Sequence, residues 1–402
     1  MQVHNKKILF FPQNKTHIDN MLPVAKELVK KGYNVVFLDA SLAYKQDIYE
    51  KGFKFNKIAF SLRLDKAFAF LSFLEKIKFI TRYKKELLDY NFEAFDSFIY
   101  GNDGALQRVF IDKYKSKKHF LILDGIISDY SFSSINIIRY SNNKFFDIKD
   151  SIRRRLKKML NMVFAYLPYN YYLPSDVGCS NLTKVFVISD YVSRYIRSQT
   201  LSNTQIIVSG MPRYKFLKDC NSIISVEKLK ILYITQGYLW HNEYENDRLQ
   251  HQTIKKLIAN FEANKLDLKY QLTVRVHPRD EVGCYDYVSK KKWITLEDKS
   301  TNIYTSINNN DIVLGVNSTV LLEAMSIGKK VIFLFLNNQY WRFKRSFINH
   351  NIFDKVFDFE QFTHQISNMN TDSVNSDKFK YFFHPNAEKS TDIIVNEITK
   401  ND

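Results

Sequence analysis

Cysteine is scarce in this sequence: Cys179, Cys220 and Cys284 stand far apart, with no Cys-x-x-Cys pair. That excludes a zinc ribbon and a disulfide framework, and it suits a reducing, cytoplasmic compartment. Glycine and proline are also few, at 11 and 7. No internal repeat or low-complexity tract stands out except the Asn/Ser/Asp-rich 367–377, which reads as a loop. No apolar run is long enough to span a bilayer, and the first one reads as a short strand, not as a leader peptide. The glycine-rich dinucleotide fingerprint is missing, so NAD is not expected, nor is any other cofactor. There is no Asp-x-Asp pair to hold phosphates through a divalent ion, and no His/Cys cluster to replace it, so no metal is expected.

Positive charge, by contrast, is abundant. Lys and Arg number 59 against 42 Asp and Glu, a formal net charge of +17. Such a chain favours an anionic partner: a phosphorylated substrate, an anionic membrane or nucleic acid. Nucleic acid is the distant alternative, because the basic residues are spread over the whole chain and no RRM, helix-turn-helix or zinc signature accompanies them. With 402 residues, two domains are the natural division.

The most informative stretch is 271–280 with 311–335. In QLTVRVHPRD an alternating strand runs into His277-Pro278, and Pro278 cannot continue the ladder, so His277 falls at the carboxyl edge. An apolar strand, 311–316, then breaks at Asn317-Ser318-Thr319, which are good helix N-caps. The helix VLLEAMSI follows, Gly328 closes it, and a further strand begins at Lys330. Ligands of parallel sheets sit at the carboxyl ends of the strands, where helix N-termini offer N–H groups to an anion. His277, Asn317, Ser318 and Thr319 therefore predict a nucleotide-phosphate cradle. Arg275 lies two residues before His277 on the same face and could add charge. Glu323 lies one helical turn after Thr319 on the same side, and a carboxylate in so apolar a helix needs a partner.

The rest of the chain repeats this grammar. KKILFFPQN reads as a strand, 15–30 as an amphipathic helix ended by Gly32, and YNVVFLD as a parallel strand beside the first. Residues 60–95 are helical in pattern, FDSFIYGND and KKHFLILDG are strands, and GALQRVFIDKY is the helix between them. Later strands fall at 184–189 and 205–210. LKILYITQG opens the second domain, with Gly237 where the backbone turns or meets a ligand. A helix is predicted near 247–264 and a terminal helix at STDIIVNEI.

These motifs resemble those of GT-B glycosyltransferases of bacterial surface polysaccharides. That group includes sialyl- and polysialyltransferases, capsule Kdo transferases and the CDP-glycerol polymerases of teichoic acid. Its members share an HP motif and a Ser/Thr turn before the last nucleotide-binding helix. The resemblance implies an α/β fold of GT-B type, two Rossmann-like domains facing a central cleft. It implies that His277 donates to a nucleotide phosphate and that Glu323 holds the ribose hydroxyls. His17 takes the place of a residue that follows the first strand and faces the cleft. An acidic-acidic-Gly motif in the sialyltransferase-like members carries the general base; here it reads Leu123-Asp124-Gly125, with only the second acid present. Asp124 and His17 thus compete for the role of base, and Asp124 is favoured. Gly210-Met-Pro-Arg-Tyr214 resembles the turn that closes the first domain in teichoic-acid-type and epimerase-like members.

The expected organisation is an acceptor domain over 1–218, a nucleotide-sugar domain over 228–380, and a tail, 381–402, returning to the first domain. The expected activity is metal-independent transfer of a nonulosonic acid or Kdo from a CMP-linked donor to an oligosaccharide or lipid-linked acceptor. Transfer from CDP-glycerol or CDP-ribitol, or UDP-sugar transfer or 2-epimerisation, are the alternatives on the same fold. Segment 152–173, IRRRLKKMLNMVFAYLPYNYYL, joins a cationic cluster to an aromatic stretch, which predicts peripheral contact with the anionic inner face of a membrane.

Overall fold

The computed structural model describes residues 6–44, 48–49, 52–64, 71–125, 156, 159, 170–172, 177–197, 200, 203–214, 228–239, 243–278, 280–336, 353–368, 381–384 and 387–400. They form two compact units: the described residues from 6 to 214 together with those after 380, and those from 228 to 368. The segment between them, 215–227, which contains Cys220, lies outside the described residues.

The first unit is a seven-stranded, wholly parallel sheet in the order β3-β2-β1-β4-β5-β6-β7. Its strands are β1 (Lys7–Phe11), β2 (Asn34–Asp39), β3 (Asn56–Ala59), β4 (Ser97–Tyr100), β5 (Lys118–Ile122), β6 (Lys184–Val187) and β7 (Gln205–Val208). Around them lie α1 (Lys15–Lys30), α2 (Ser41–Tyr44), α3 (Phe73–Glu86), α4 (Ala105–Lys113) and α5 (Asp190–Arg197). Asn14 caps α1 by accepting the His17 N–H, and Ser72 with Glu75 forms a capping box on α3. The expectation of helix from residue 60 is corrected: α3 starts at Phe73, and Asn56–Ala59 before it is a strand. That strand is short, polar and largely exposed at the sheet edge, so it carries no alternating apolar signal.

Parallel strands buried on both faces read as continuous apolar runs, and here the runs are rich in rings. Phe110 on α4 packs its ring against Phe11, Phe92 and Phe98 at centroid distances of 5.6, 5.0 and 5.6 Å. Burying such a side chain contributes about 1.5–3 kcal/mol, and a well-angled ring pair about 0.5–1.5 more.

The second unit has six parallel strands in the order β10-β9-β8-β11-β12-β13. They are β8 (Leu229–Ile234), β9 (Tyr270–Arg275), β10 (Ile294–Glu297), β11 (Ile312–Gly315), β12 (Lys330–Leu334) and β13 (Lys355–Val356). The helices are α6 (Tyr244–Ala263), α7 (Ile303–Asn308), α8 (Thr319–Ser326) and α9 (Phe359–Ser367). Gly328, at φ 81°, takes the left-handed turn that ends α8 and aims the chain into β12. The core here is mostly aliphatic, built from Ile231, Leu257, Leu272, Val274, Leu314 and Ile332. A final helix, α10 (Ser390–Thr399), belongs to the first unit and lies against α1. Lys184 fixes it by pairing with Glu397 at 2.8 Å, and Lys31 donates to Asn396 at 3.0 Å.

Candidate functional site

Each sheet reverses its winding once. In the first unit β1 leads outward to β2 and β4 leads the other way to β5, so the carboxyl ends of β1 and β4 make the switch point where open α/β sheets bind ligands. His17, one turn into α1, lies there and is 3 % exposed. Its ring rests on Gly101, just past β4: a Cβ at that position would sit 2.2 Å from His17 Nδ1. Only glycine fits beneath the imidazole.

The hydrogen bonds assign the His17 tautomer. The Gln13 backbone N–H donates to Nδ1 at 3.0 Å, so Nδ1 carries a lone pair and the proton is on Nε2. Nε2 faces Asp124 Oδ2 at 3.3 Å, just past β5. Asp124 is 41 % exposed at its side chain, so its carboxylate reaches both the imidazole and solvent. Burial pushes this carboxyl up, but the hydrogen bond from His17 and the charge of Arg213 outweigh it and hold the group below its ordinary value. The Arg213 guanidinium stacks on the Tyr214 ring at 4.5 Å, and its Nη2 would stand 3.7 Å from a Cβ on Gly125. The GMPRY turn thus delivers a cation beside Asp124.

In the second unit the switch point is between β8 and β11. His277 follows β9, and its ring covers Gly237 past β8, where a Cβ would come within 2.5 Å of Nδ1. The His277 N–H donates to Thr235 Oγ1 at 2.8 Å, and its carbonyl accepts from the Asp280 N–H at 2.9 Å. Gly237 has no left-handed φ; it is glycine because an imidazole occupies the space, which supplies a reason the sequence did not show. Ser318 is the N-cap of α8, accepting from the Val320 N–H at 3.3 Å, with Asn317 and Thr319 half-buried on either side. Glu323 is inside that helix and 4 % exposed.

Arg275 is placed differently from the expectation that it adds charge at the rim. Its guanidinium is enclosed: Nη1 contacts Glu297 at 3.0 Å and Ser306 at 2.8 Å, and Nη2 donates to the Thr301 carbonyl at 2.7 Å. It ties β9 to β10 and α7, and faces neither His277 nor the α8 N-terminus.

Behind His277 lies a polar cluster absent from the sequence reading. Gln250 bridges the Gln236 backbone and the Tyr285 hydroxyl, which itself faces Asp280 Oδ2 at 3.4 Å. Burial, then the charge of Asp247, pushes the Asp280 carboxyl up to about 6. Asp280 Oδ1 and Asp247 Oδ1 are buried with no hydrogen-bond partner.

Sequence reasoning also missed Gly101, Gln13 and Arg213. A glycine directly after an apolar strand was the one available signal for Gly101. Arg213 was quoted for its turn and not for its charge. Most of 152–173 lies outside the described residues. Its Tyr171 is 1 % exposed and lies under Lys84, 4.4 Å from ring centroid to Nζ, which removes that tyrosine from lipid contact.

No family profile and no curated protein matches this sequence. Its fold does match solved structures. Its two doubly wound parallel units have a GT-B-type fold, as the following structures do. The UDP-GlcNAc 2-epimerase of Methanocaldococcus jannaschii is similar over 98% of this chain and 99% of its own, at TM-score 0.55 and 12% identity. That of Neisseria meningitidis, bound to UDP-GlcNAc, is similar over 98% and 100%, at TM-score 0.55 and 14% identity. A variant of the wall teichoic acid polymerase TagF, soaked with CDPG, is similar over 98% and 88%, at TM-score 0.53 and 10% identity.

Proposed function

We propose that this chain is an enzyme acting on a nucleoside-diphosphate-linked sugar or polyol in the assembly of a bacterial surface glycan. The observation that carries the reading is the His17–Asp124 pair at the switch point of the first sheet. An acceptor hydroxyl must lose its proton as it attacks the donor, and the open lone pairs here belong to the Asp124 carboxylate. The His17 Nδ1 lone pair is engaged by Gln13, and its Nε2–H points at Asp124, so His17 orients the base and is not the base itself. On the second unit, His277 and the Asn317–Thr319 turn would meet the phosphates, stabilising the leaving group without a metal, and Glu323 the ribose. Arg275 is left out of this set.

The finer choice is the donor. The CMP-linked nonulosonic acid or Kdo expected from the motifs gains no support from the ligands of the structural neighbours, which include UDP-GlcNAc and CDPG. UDP- and CDP-linked donors therefore come first. Epimerisation of a UDP-sugar at C2 is a second reading, favoured by epimerase neighbours that are covered almost end to end.

A thermal-shift screen of CMP, CDP, UDP and GDP tests the nucleotide site. A ligand at a hundredfold excess over Kd stabilises by about 2.7 kcal/mol. UDP or CDP should protect more than GDP, and protection by none of the four overturns the reading. UDP-GlcNAc incubated without acceptor then separates the two activities: conversion to its 2-epimer selects epimerase, and its stability until an acceptor is added selects transferase. Peripheral membrane attachment through 152–173 is part of the same proposal. It requires co-sedimentation with anionic vesicles that high salt abolishes; sedimentation unchanged after Gln replaces Arg153, Arg154, Arg155, Lys157 and Lys158 removes it.

A further inference from the structure

The opposite edge of the first sheet carries a feature that none of this chemistry uses. Beneath the amino ends of β5, β6 and β7 lies a cavity of about 490 Å³. Its wall carries Lys115, Lys117, Lys118, Lys184 and Lys400 with one carboxylate, Glu397, which pairs with Lys184 and Lys400, while Asp112, outside the wall, pairs with Lys115 at 3.0 Å. A second cavity of about 300 Å³ shares Lys118 and Ile398 with it and continues under β1 and β4, adding Lys6 and Asp96. Together they form a basic groove crossing five strands, about 19 Å at the usual strand spacing. The strands are five residues or fewer in this part of the sheet, which puts the groove roughly 16 Å from the His17–Asp124 pair at the other end.

The wall chemistry selects the occupant. Every apolar or aromatic residue lining the two cavities is buried: Ile8, Phe120, Leu182 and Ile398 are 2 % exposed or less, and Tyr33 is 5 %. No ring offers a face to a nucleobase, as single-stranded nucleic-acid sites require. No apolar side chain projects into a bilayer, and a recess presents its lysines poorly to a flat surface. What remains accessible is ammonium groups among the amides of Asn181, Asn203 and Gln205. Amides match hydroxyls, and lysines match carboxylates or phosphodiesters. Lys184 is held in place by the Glu397 carboxylate and carbonyl, at 2.8 and 2.7 Å, so one charge is rigidly placed.

We propose that this groove binds a linear anionic glycan at a distance from the reaction centre. The choice of a carbohydrate over other hydrophilic polyanions rests on the proposed function. For a chain-extending enzyme, such a groove would retain the polymer between additions.

The test is a binding assay without any nucleotide, so it reads the groove whether or not the donor site is correctly assigned. Fluorescent polysialic acid and poly(glycerol phosphate) are titrated against wild type and the triple variant K115Q/K117Q/K118Q. Lys184 is left intact because its ion pair is buried, and equal melting temperatures establish that the variant is folded. Wild type should bind one or both polymers with an affinity that falls with salt, and the variant should bind about tenfold more weakly or less. Preference for the first polymer identifies carboxylates, preference for the second phosphodiesters. Unchanged affinity in the variant overturns the proposal. So does tighter, lysine-dependent binding of single-stranded DNA or of anionic vesicles.

Discussion

The two units use the same device for different ends. In both, a histidine past one strand packs on a glycine past a neighbouring strand, so closely that a methyl group would collide with the ring, at 2.2 Å on Gly101 and 2.5 Å on Gly237. In the first unit the imidazole is oriented by a backbone N–H and turned to a carboxylate. In the second the backbone of the histidine is pinned by Thr235 and Asp280, leaving the ring beside a strand end. The ring–glycine contact fixes position only; the neighbours on the second ring nitrogen and on the backbone decide the chemistry.

The sharpest break between the halves is predicted at Asp124. Asp124→Asn should lower kcat by roughly 10² or more while nucleotide protection persists. Because the Asp124 pKa is held down, wild-type activity should persist as pH falls to the ordinary carboxylate range and decline only below it. His17→Ala removes the lowering influence, so its acid limb should move to higher pH with some activity retained. An inactive His17→Ala beside an active Asp124→Asn would transfer the role of base to His17.

On the other unit, His277→Ala should abolish turnover and weaken nucleotide binding with the fold intact by circular dichroism. Glu323→Ala should mainly raise the donor KM, since a ribose contact is made alike in ground and transition states. A loss confined to kcat contradicts the ribose role.

The shared device itself is tested by methyl groups. Gly101→Ala and Gly237→Ala should each destabilise by about 1–3 kcal/mol in thermal or denaturant unfolding, as overpacking does. The clash at Gly101 also reaches His17 Cβ, at 2.8 Å, so its effect should be the larger. Combining Gly237→Ala with His277→Ala should recover most of the loss; if it does not, the contact is incidental.

The smallest effect concerns Asp280. Its folded-state pKa, about 6, lies above the unfolded value, so the folded protein binds the extra proton and is favoured at low pH. That contribution is lost as pH rises from about 4 through 6. Asp280→Asn should therefore flatten the pH dependence of the melting temperature in that window and raise it slightly at pH 7.5. A parallel curve in wild type and variant would contradict the shift.

By itself the sequence determined the grammar of the fold. Apolar runs bounded by Gly32, Ser318 and Gly328 read as strand, cap, helix and stop because these signals act over a few residues. Asn56–Ala59 and Lys355–Val356 escaped it, since short edge strands owe their existence to a neighbour and not to their own pattern. The candidate site was legible as residue types at strand ends: His17, Asp124, His277, Ser318 and Glu323. What only the tertiary structure decided is which of these meet. Strand order brought the end of β5 beside α1 and so paired Asp124 with His17, across more than a hundred residues of chain. It turned Arg275 inward to Glu297, although alternation put it on the same face as His277. And it gave Gly101 and Gly237 their reason, because the ring that each accommodates comes from a distant part of the sequence and arrives only when the sheet is assembled.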